Sequence, residues 1–182
     1  LYDVSRLEAS SLLLSPRPVD LRQVIDAALD TIDPSQDVAA LVDVQIDEGV
    51  TVLADPRRLE QVVANLVANA FEHGAAPVVI HASAHEQEAG HLPTPGEVAF
   101  CVSDSGRGVP DAVVPVLFSR VHTLARHQRT GRVGLGTGLG LFLVKGLVEA
   151  MGGRVSYVAP TPGAHFEVVL QSPRRAADAL VL

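Results

Sequence analysis

The stretch from Asp55 to Gly74 constrains the chain most. Asp55 followed by Pro56 is a helix start, because an Asp side chain accepts orphan backbone N–H groups and a first-turn proline needs no donor. At about 100° per residue, Leu59, Val62, Val63, Leu66, Val67 and Ala70 fall on one face, and the helix should run to about Glu72 with Gly74 as its stop. So continuous an apolar stripe has to lie against a second layer. The opposite stripe carries Arg58, Gln61, Asn65, Asn69 and Glu72, which sets two carboxamides one helical turn apart and away from the core.

The second layer is supplied by strand patterns. Val42, Val44 and Ile46 alternate with polar residues, and Thr51 to Ala54 follows the Glu48-Gly49 turn, so these read as two neighbouring strands. Pro77 to Ala84 and Glu97 to Ser103 read as two more, and Arg154 to Ala159 with Ala164 to Gln171 as a hairpin. Two further helices are expected. One is capped by Asp20 and carries Leu21, Val24, Ile25, Ala28, Leu29 and Ile32; the other runs from about Gly138 to Met151 and is closed by Gly152-Gly153. Helices and strands alternate irregularly, with hairpins among them. The pattern predicts an α+β, two-layer α/β sandwich in which a mixed, mostly antiparallel sheet is covered on one face by about three helices. Leu1 to about Leu14 reads as the end of a longer helix, stopped by Pro16 and Pro18.

An apolar content of 47% with 19% charged residues suits a folded domain. The formal charge of −7 gives no basic footprint, which argues against nucleic acid as a partner. No apolar run is long enough for a spanning helix, and a cytoplasmic location is expected. Cys101, the one cysteine, lies in the apolar run Val98 to Val102 and reads as a buried structural thiol, which excludes disulfides. All basic residues except Lys145 are arginine, which with the abundance of Ala, Gly and Val suggests a GC-rich bacterial genome.

Three clusters carry chemistry, the first two open to two readings each. A carboxamide oxygen is a neutral hard ligand suited to Mg²⁺, a metal that takes its remaining ligands from waters and phosphates; Asn65 and Asn69 are either such a pair or part of a solvated face. Asp104-Ser105-Gly106-Arg107-Gly108 follows an apolar strand directly. It is either a plain Asp/Gly turn or a carboxylate that accepts from an adenine amino group and rejects guanine, beside two glycines that let the backbone approach a flat ligand. Gly134, Gly136, Thr137, Gly138, Leu139 and Gly140 lead straight into a helix, where exposed N–H groups and the helix dipole favour an anion such as phosphate. The spacing fits neither G-x-G-x-x-G nor a P-loop. Between the last two clusters, Val109 to Val133 reads as a mobile lid holding Arg120, Arg126, Arg129 and Arg132, whose guanidinium groups can fork onto phosphate oxygens or stay solvated.

In this order the clusters resemble the ATP-binding domain shared by histidine kinases, gyrase, heat-shock ATPases and mismatch-repair ATPases, the GHKL or Bergerat fold, and the histidine kinase branch most closely. Asp55 to Ala70 is similar to the N box of that branch, Asp104 to Gly108 to its G1 box, Val116-Leu117-Phe118-Ser119-Arg120 to its F box, and Gly134 to Leu141 to its G2 box. The likeness covers roughly residues 16 to 171. It implies that Mg-ATP is bound, with Asn69 the main Mg²⁺ ligand and Asn65 assisting, Asp104 the adenine-reading acid, and the glycine run the phosphate-side hinge of the lid. Two residues depart from the family pattern: Glu72 stands where Lys or Arg is usual, and Val121 where a second phenylalanine is common.

The same resemblance assigns residues 1–15 to the end of a dimerisation and phosphotransfer helix and 172–182 to a tail. It implies transfer of the ATP γ-phosphoryl group to a phosphoacceptor histidine upstream of Leu1, since none of the seven histidines has that histidine's surroundings, and relay to a response regulator. ATP or ADP, the phosphotransfer domain of the same protein and a receiver domain are the implied partners. The fragment is expected to be monomeric and its parent, whether membrane-anchored or free, homodimeric. The rivals are a hydrolytic ATPase of the same fold, an anti-sigma serine kinase, and a degenerate nucleotide-binding module.

Overall fold

The computed structural model describes residues 13–32, 41–83, 96–119, 140–159 and 163–173. In chain order these form β1 (Arg17–Asp20), α1 (Leu21–Ile32), β2 (Val42–Ile46), β3 (Thr51–Ala54), α2 (Pro56–His73), β4 (Val78–Ser83), β5 (Glu97–Ser103), a 3₁₀ turn (Val114–Val116), α3 (Gly140–Ala150), β6 (Arg154–Val158) and β7 (His165–Gln171). The main sheet has the order β2-β4-β5-β7-β6. Its β2–β4 pair is parallel and the other three pairs are antiparallel.

All three helices face one side of this sheet. Leu21, Ile25, Leu59, Leu66 and Leu147 from the helices join Ile80, Phe100 and Leu170 from the strands in one buried cluster. Burial of that apolar surface, at about 25 cal/mol per Å², is what opposes the entropy of ordering the chain. The expected two-layer α+β sandwich is therefore the fold observed.

α2 follows its periodicity residue by residue. Its buried positions are Leu59, Val62, Val63, Leu66, Val67 and Ala70, and Asp55 caps it by accepting from Arg57 N–H at 3.1 Å and Arg58 N–H at 3.3 Å. Asp20 caps α1 in the same way through Gln23 N–H at 3.0 Å.

The strands of residues 42–46 and 51–54 are not neighbours, contrary to the sequence-based expectation. β2 pairs with β4, and β3 pairs antiparallel with β1 in a separate two-stranded sheet. The turn at Glu48-Gly49 reverses the chain, but Val50 gives its carbonyl to Leu21 N–H at 3.0 Å, so the chain crosses to the α1 side instead of folding back on β2. β1 was not expected, because Pro18 argues against a strand interior; at the edge of a two-stranded sheet its missing N–H is tolerated. Residues 1–12 of the expected remnant (1–15) and 174–182 of the expected tail (172–182) lie outside the described residues.

Candidate nucleotide site

The two clusters from α2 and from the end of β5 meet at Gly74. Asp104 stands just past β5 and is 7% exposed. Its Oδ1 accepts Gly106 N–H at 2.8 Å, and its own N–H donates to Ala164 O at 3.0 Å. Among the described residues no group donates to Oδ2. A nearly buried carboxylate with one oxygen committed and one left to accept is suited to a donor supplied from outside the chain, since burying an acceptor without a partner costs roughly 1–3 kcal/mol.

Three glycines make room for it. A Cβ on Gly74 would overlap the Asp104 carboxylate. A Cβ on Gly106 would lie 2.8 Å from Gly74 Cα and 2.9 Å from Asp104 Oδ1. Gly163, at φ +107°, presses against the Asp104 carbonyl so closely that no side chain fits. Ser105 N–H donates to Ala75 O at 2.8 Å, which ties the loop to the chain leaving α2. Gly74 was expected only as a helix stop. Its φ of −94° is open to any residue, so what demands glycine there is space: a Cβ would overlap the Asp104 carboxylate and lie 2.6 Å from Ala70 O of the last helical turn. Neither Gly74 nor Gly163 carries a local sequence signal of this role.

Gly108 is held at φ +70°, where a Cβ would meet Gly163 O at 2.6 Å and the Tyr157 hydroxyl at 3.3 Å. Arg107 is exposed.

On α2, Asn65 and Asn69 are half-buried. Asn65 donates one of its two Nδ2 hydrogens to Gln61 O at 2.7 Å, which fixes the amide and leaves Oδ1 to accept. That oxygen lies 3.1 Å from where a Cβ on Gly140 would sit, so the N-terminus of α3 abuts the asparagine stripe. Asn69 makes no side-chain hydrogen bond among the described residues. The chemistry of this donor set suits a hard cation: two amide oxygens on one helix face, beside helix N–H groups that suit an anion. Among the described residues no cluster of three or more His, Cys, Asp or Glu could hold a metal.

Along the axis Asn69 is about 7.5 Å from Gly74 and Asn65 about 6 Å further. The site thus runs from a buried carboxylate at one end to amides and a helix N-terminus at the other. Glu72 is half exposed and lies 3.7 Å from His73 Nε2. Of the expected site residues, Asn65, Asn69, Asp104, Gly106, Gly108 and Gly140 are brought together. Arg126, Arg129, Arg132, Gly134, Gly136, Thr137, Gly138 and Leu139, with the expected lid from residue 120 onward, lie outside the described residues. So do Arg120 and Val121 of the F box, whose Leu117 is buried and whose Phe118 meets Phe166 edge-on at 6.3 Å.

Cys101 and the two described strand histidines face the opposite side of the sheet. Burial, and then the nearby Glu167 charge, push the Cys101 thiol up to about 11, consistent with a structural role. His165 is pushed down from its ordinary value by burial and by His81.

Residues 54–174, well over half of the chain, match the family described as Histidine kinase-, DNA gyrase B-, and HSP90-like ATPase, and the chain belongs to that family. Within it, the chain is similar to several sensor kinases. The signal transduction histidine-protein kinase AfsQ2 of Streptomyces coelicolor is 32% identical over 180 residues, covering 98% of this chain and 31% of AfsQ2. The sensor histidine kinase GacS of Pseudomonas protegens is 30% identical over 183 residues, covering 98% of this chain and 19% of GacS. The crystal structure of full-length ShkA in complex with AMPPNP superposes with a TM-score of 0.67 at 28% identity, over 92% of this chain and 34% of ShkA. The chain thus spans about a third or less of each of these three proteins. No helix among the described residues is long and apolar enough to cross a membrane.

Proposed function

We propose that residues 16–171 form the ATP-binding catalytic domain of a two-component sensor histidine kinase, which binds Mg-ATP and donates its γ-phosphoryl group to a phosphoacceptor histidine for relay to a response regulator. The observation that carries the reading is the Asp104 carboxylate, nearly buried, with Oδ1 fixed by Gly106 N–H and Oδ2 left to accept. An adenine amino group is a donor of the right kind, whereas guanine would set a carbonyl oxygen against the same carboxylate.

From Asp104 the nucleotide extends along α2. Asn69, with Asn65 assisting, would hold Mg²⁺ through amide oxygens, and Mg²⁺ when bound neutralises phosphate charge. The N-terminus of α3, reached through Gly134, Gly136, Thr137, Gly138, Leu139 and Gly140, would face the phosphates with backbone N–H groups. Arg126, Arg129 and Arg132 are proposed as the lid's phosphate clamp, which offsets the charge of Glu72.

Asn65 also separates the kinase reading from hydrolysis. A neutral amide cannot take a proton from water at pH 7, so phosphoryl transfer to an imposed acceptor is favoured over rapid ATP hydrolysis. In the parent protein the domain would act in the cytoplasm, within a homodimer, on its own phosphotransfer domain. Titration calorimetry tests the site: ATP and ADP should bind in a Mg²⁺-sensitive way and GTP much more weakly. Equal affinity for ATP and GTP would sink the assignment. Phosphorylation of a supplied phosphotransfer domain from labelled ATP, acid-labile and base-stable, tests the reaction.

A further inference from the structure

Tyr157 lies on β6 opposite Phe166 of β7, with ring centroids 5.6 Å apart and planes at 53°. Its hydroxyl accepts the backbone N–H of Val109 at 3.1 Å. Phe166 is 2% exposed, and its ring also meets Phe118 edge-on at 6.3 Å and 89°. The segment that leaves the Asp104 loop is thus anchored at both ends on one hairpin: at Val109 by a hydroxyl and at Phe118 by a ring. Between the two anchors the hydrogen bonds are local ones, such as Val113 N–H to Pro110 O at 2.8 Å.

We propose that Tyr157 is a positioning residue for the adenine end of the site, acting by holding Val109 and, through it, the Gly106 to Gly108 arc beside Asp104. This rests on the nucleotide reading above. Val109 follows Gly108 directly, and Gly108 sits in a left-handed conformation (φ +70°) that closes the arc against Gly163 O and the Tyr157 hydroxyl. The Gly106 N–H that orients Asp104 Oδ1 belongs to the same arc. Without the hydroxyl, Val109 N–H loses its only partner among the described residues. The arc then gains freedom that a flat ligand has to remove on binding, and that cost is charged to affinity. The ring contact with Phe166 does not depend on the oxygen, so fold and positioning can be separated.

The variant Tyr157→Phe keeps the ring and deletes the acceptor. Its circular dichroism should be that of the wild type, and amide exchange at Val109, followed by NMR, should speed up. Affinity for adenosine, ADP and ATP should fall by one common factor of about three to ten, the scale of a single neutral hydrogen bond. A merely structural role would lower the melting temperature without a common factor across the three ligands. The inference is overturned if Val109 exchange is unchanged, if the variant binds all three ligands as the wild type does, or if ATP is weakened and adenosine is not, which would move the effect to the phosphate end. Failure of the wild type itself to bind adenosine, ADP or ATP is a different outcome: it removes the nucleotide reading, and this inference with it.

Discussion

Asp104 is 7% exposed and touches backbone from the end of α2, its own loop and the β6–β7 hairpin, whereas Asn69, about 7.5 Å along α2 from Gly74, makes no side-chain hydrogen bond among the described residues. One end of the site is a clasp assembled from three parts of the chain; the other is a helix face. A clasp selects, because its geometry is fixed before the ligand arrives and any misfit leaves a buried acceptor unpaired. A helix face serves a metal with its waters and a flexible phosphate chain, for which rigid walls matter less.

The clasp should therefore show the largest single effect. Asp104→Asn turns an acceptor toward the adenine amino group into a donor and should cost about 1.5–3 kcal/mol of binding, roughly ten- to a hundredfold in Kd. Because the loss lies at the adenine end, adenosine, ADP and ATP should suffer alike in calorimetry. A variant that loses ATP but retains adenosine would erase the distinction between the two ends.

Gly74→Ala attacks the same clasp from the side of α2. A methyl group there overlaps the Asp104 carboxylate, and overpacking of this kind costs about 1–3 kcal/mol of stability, readable as a lower midpoint in urea at unchanged slope. Adenine binding should weaken in parallel as Asp104 is displaced. Full stability and full affinity in the variant would show that the clasp is looser than its contacts imply.

At the open end the expected effect is smaller. Glu72 is half exposed and 3.7 Å from His73, so its charge reaches the phosphates through water and is screened. Glu72→Lys should strengthen ATP binding by about 0.2–1 kcal/mol, leave adenosine unchanged, and lose its benefit as salt rises. Weaker Mg-ATP binding in the variant would instead place Glu72 in the shell of the metal.

The contrast also decides what was legible in the sequence. α2 was legible to the residue, because a helix face is a local periodic property and both Asn65 and Asn69 fall on it by counting. Asp104, Gly106 and Gly108 were legible as a strand end followed by glycines. The role of Gly74 and Gly163 beside Asp104 was not, since the Asp104 carboxylate that crowds Gly74 and the Asp104 carbonyl that crowds Gly163 lie about 30 and about 60 residues away, and no window along the chain contains both partners. The pairing of β2 with β4 was missed for the same reason: alternation marks a strand but says nothing about which strand lies beside it. Tyr157 gave no signal at all, because its hydroxyl matters only through a backbone N–H 48 residues earlier in the chain.

The smallest effect lies on the far side of the sheet, and it tests whether that face is independent of the site. His165 Nδ1 is 2.9 Å from Ser103 Oγ, and burial together with His81 on β4 holds its pKa below the ordinary value of about 6.5. Above that value both folded and unfolded chains carry the neutral ring, so stability is unaffected. As pH falls through it, the unfolded chain takes up a proton that the folded chain resists, and stability drops until the depressed folded value is passed. Thermal melts of wild type and His165→Gln from about pH 7.5 to about pH 5.5 should show a shallower fall in the variant, with nucleotide affinity at neutral pH unchanged. Parallel melting curves would mean that His165 is not the titrating group. A change in affinity would mean that β7 transmits the state of this face to the Asp104 clasp, where the carbonyl of Ala164, just ahead of β7, accepts Asp104 N–H.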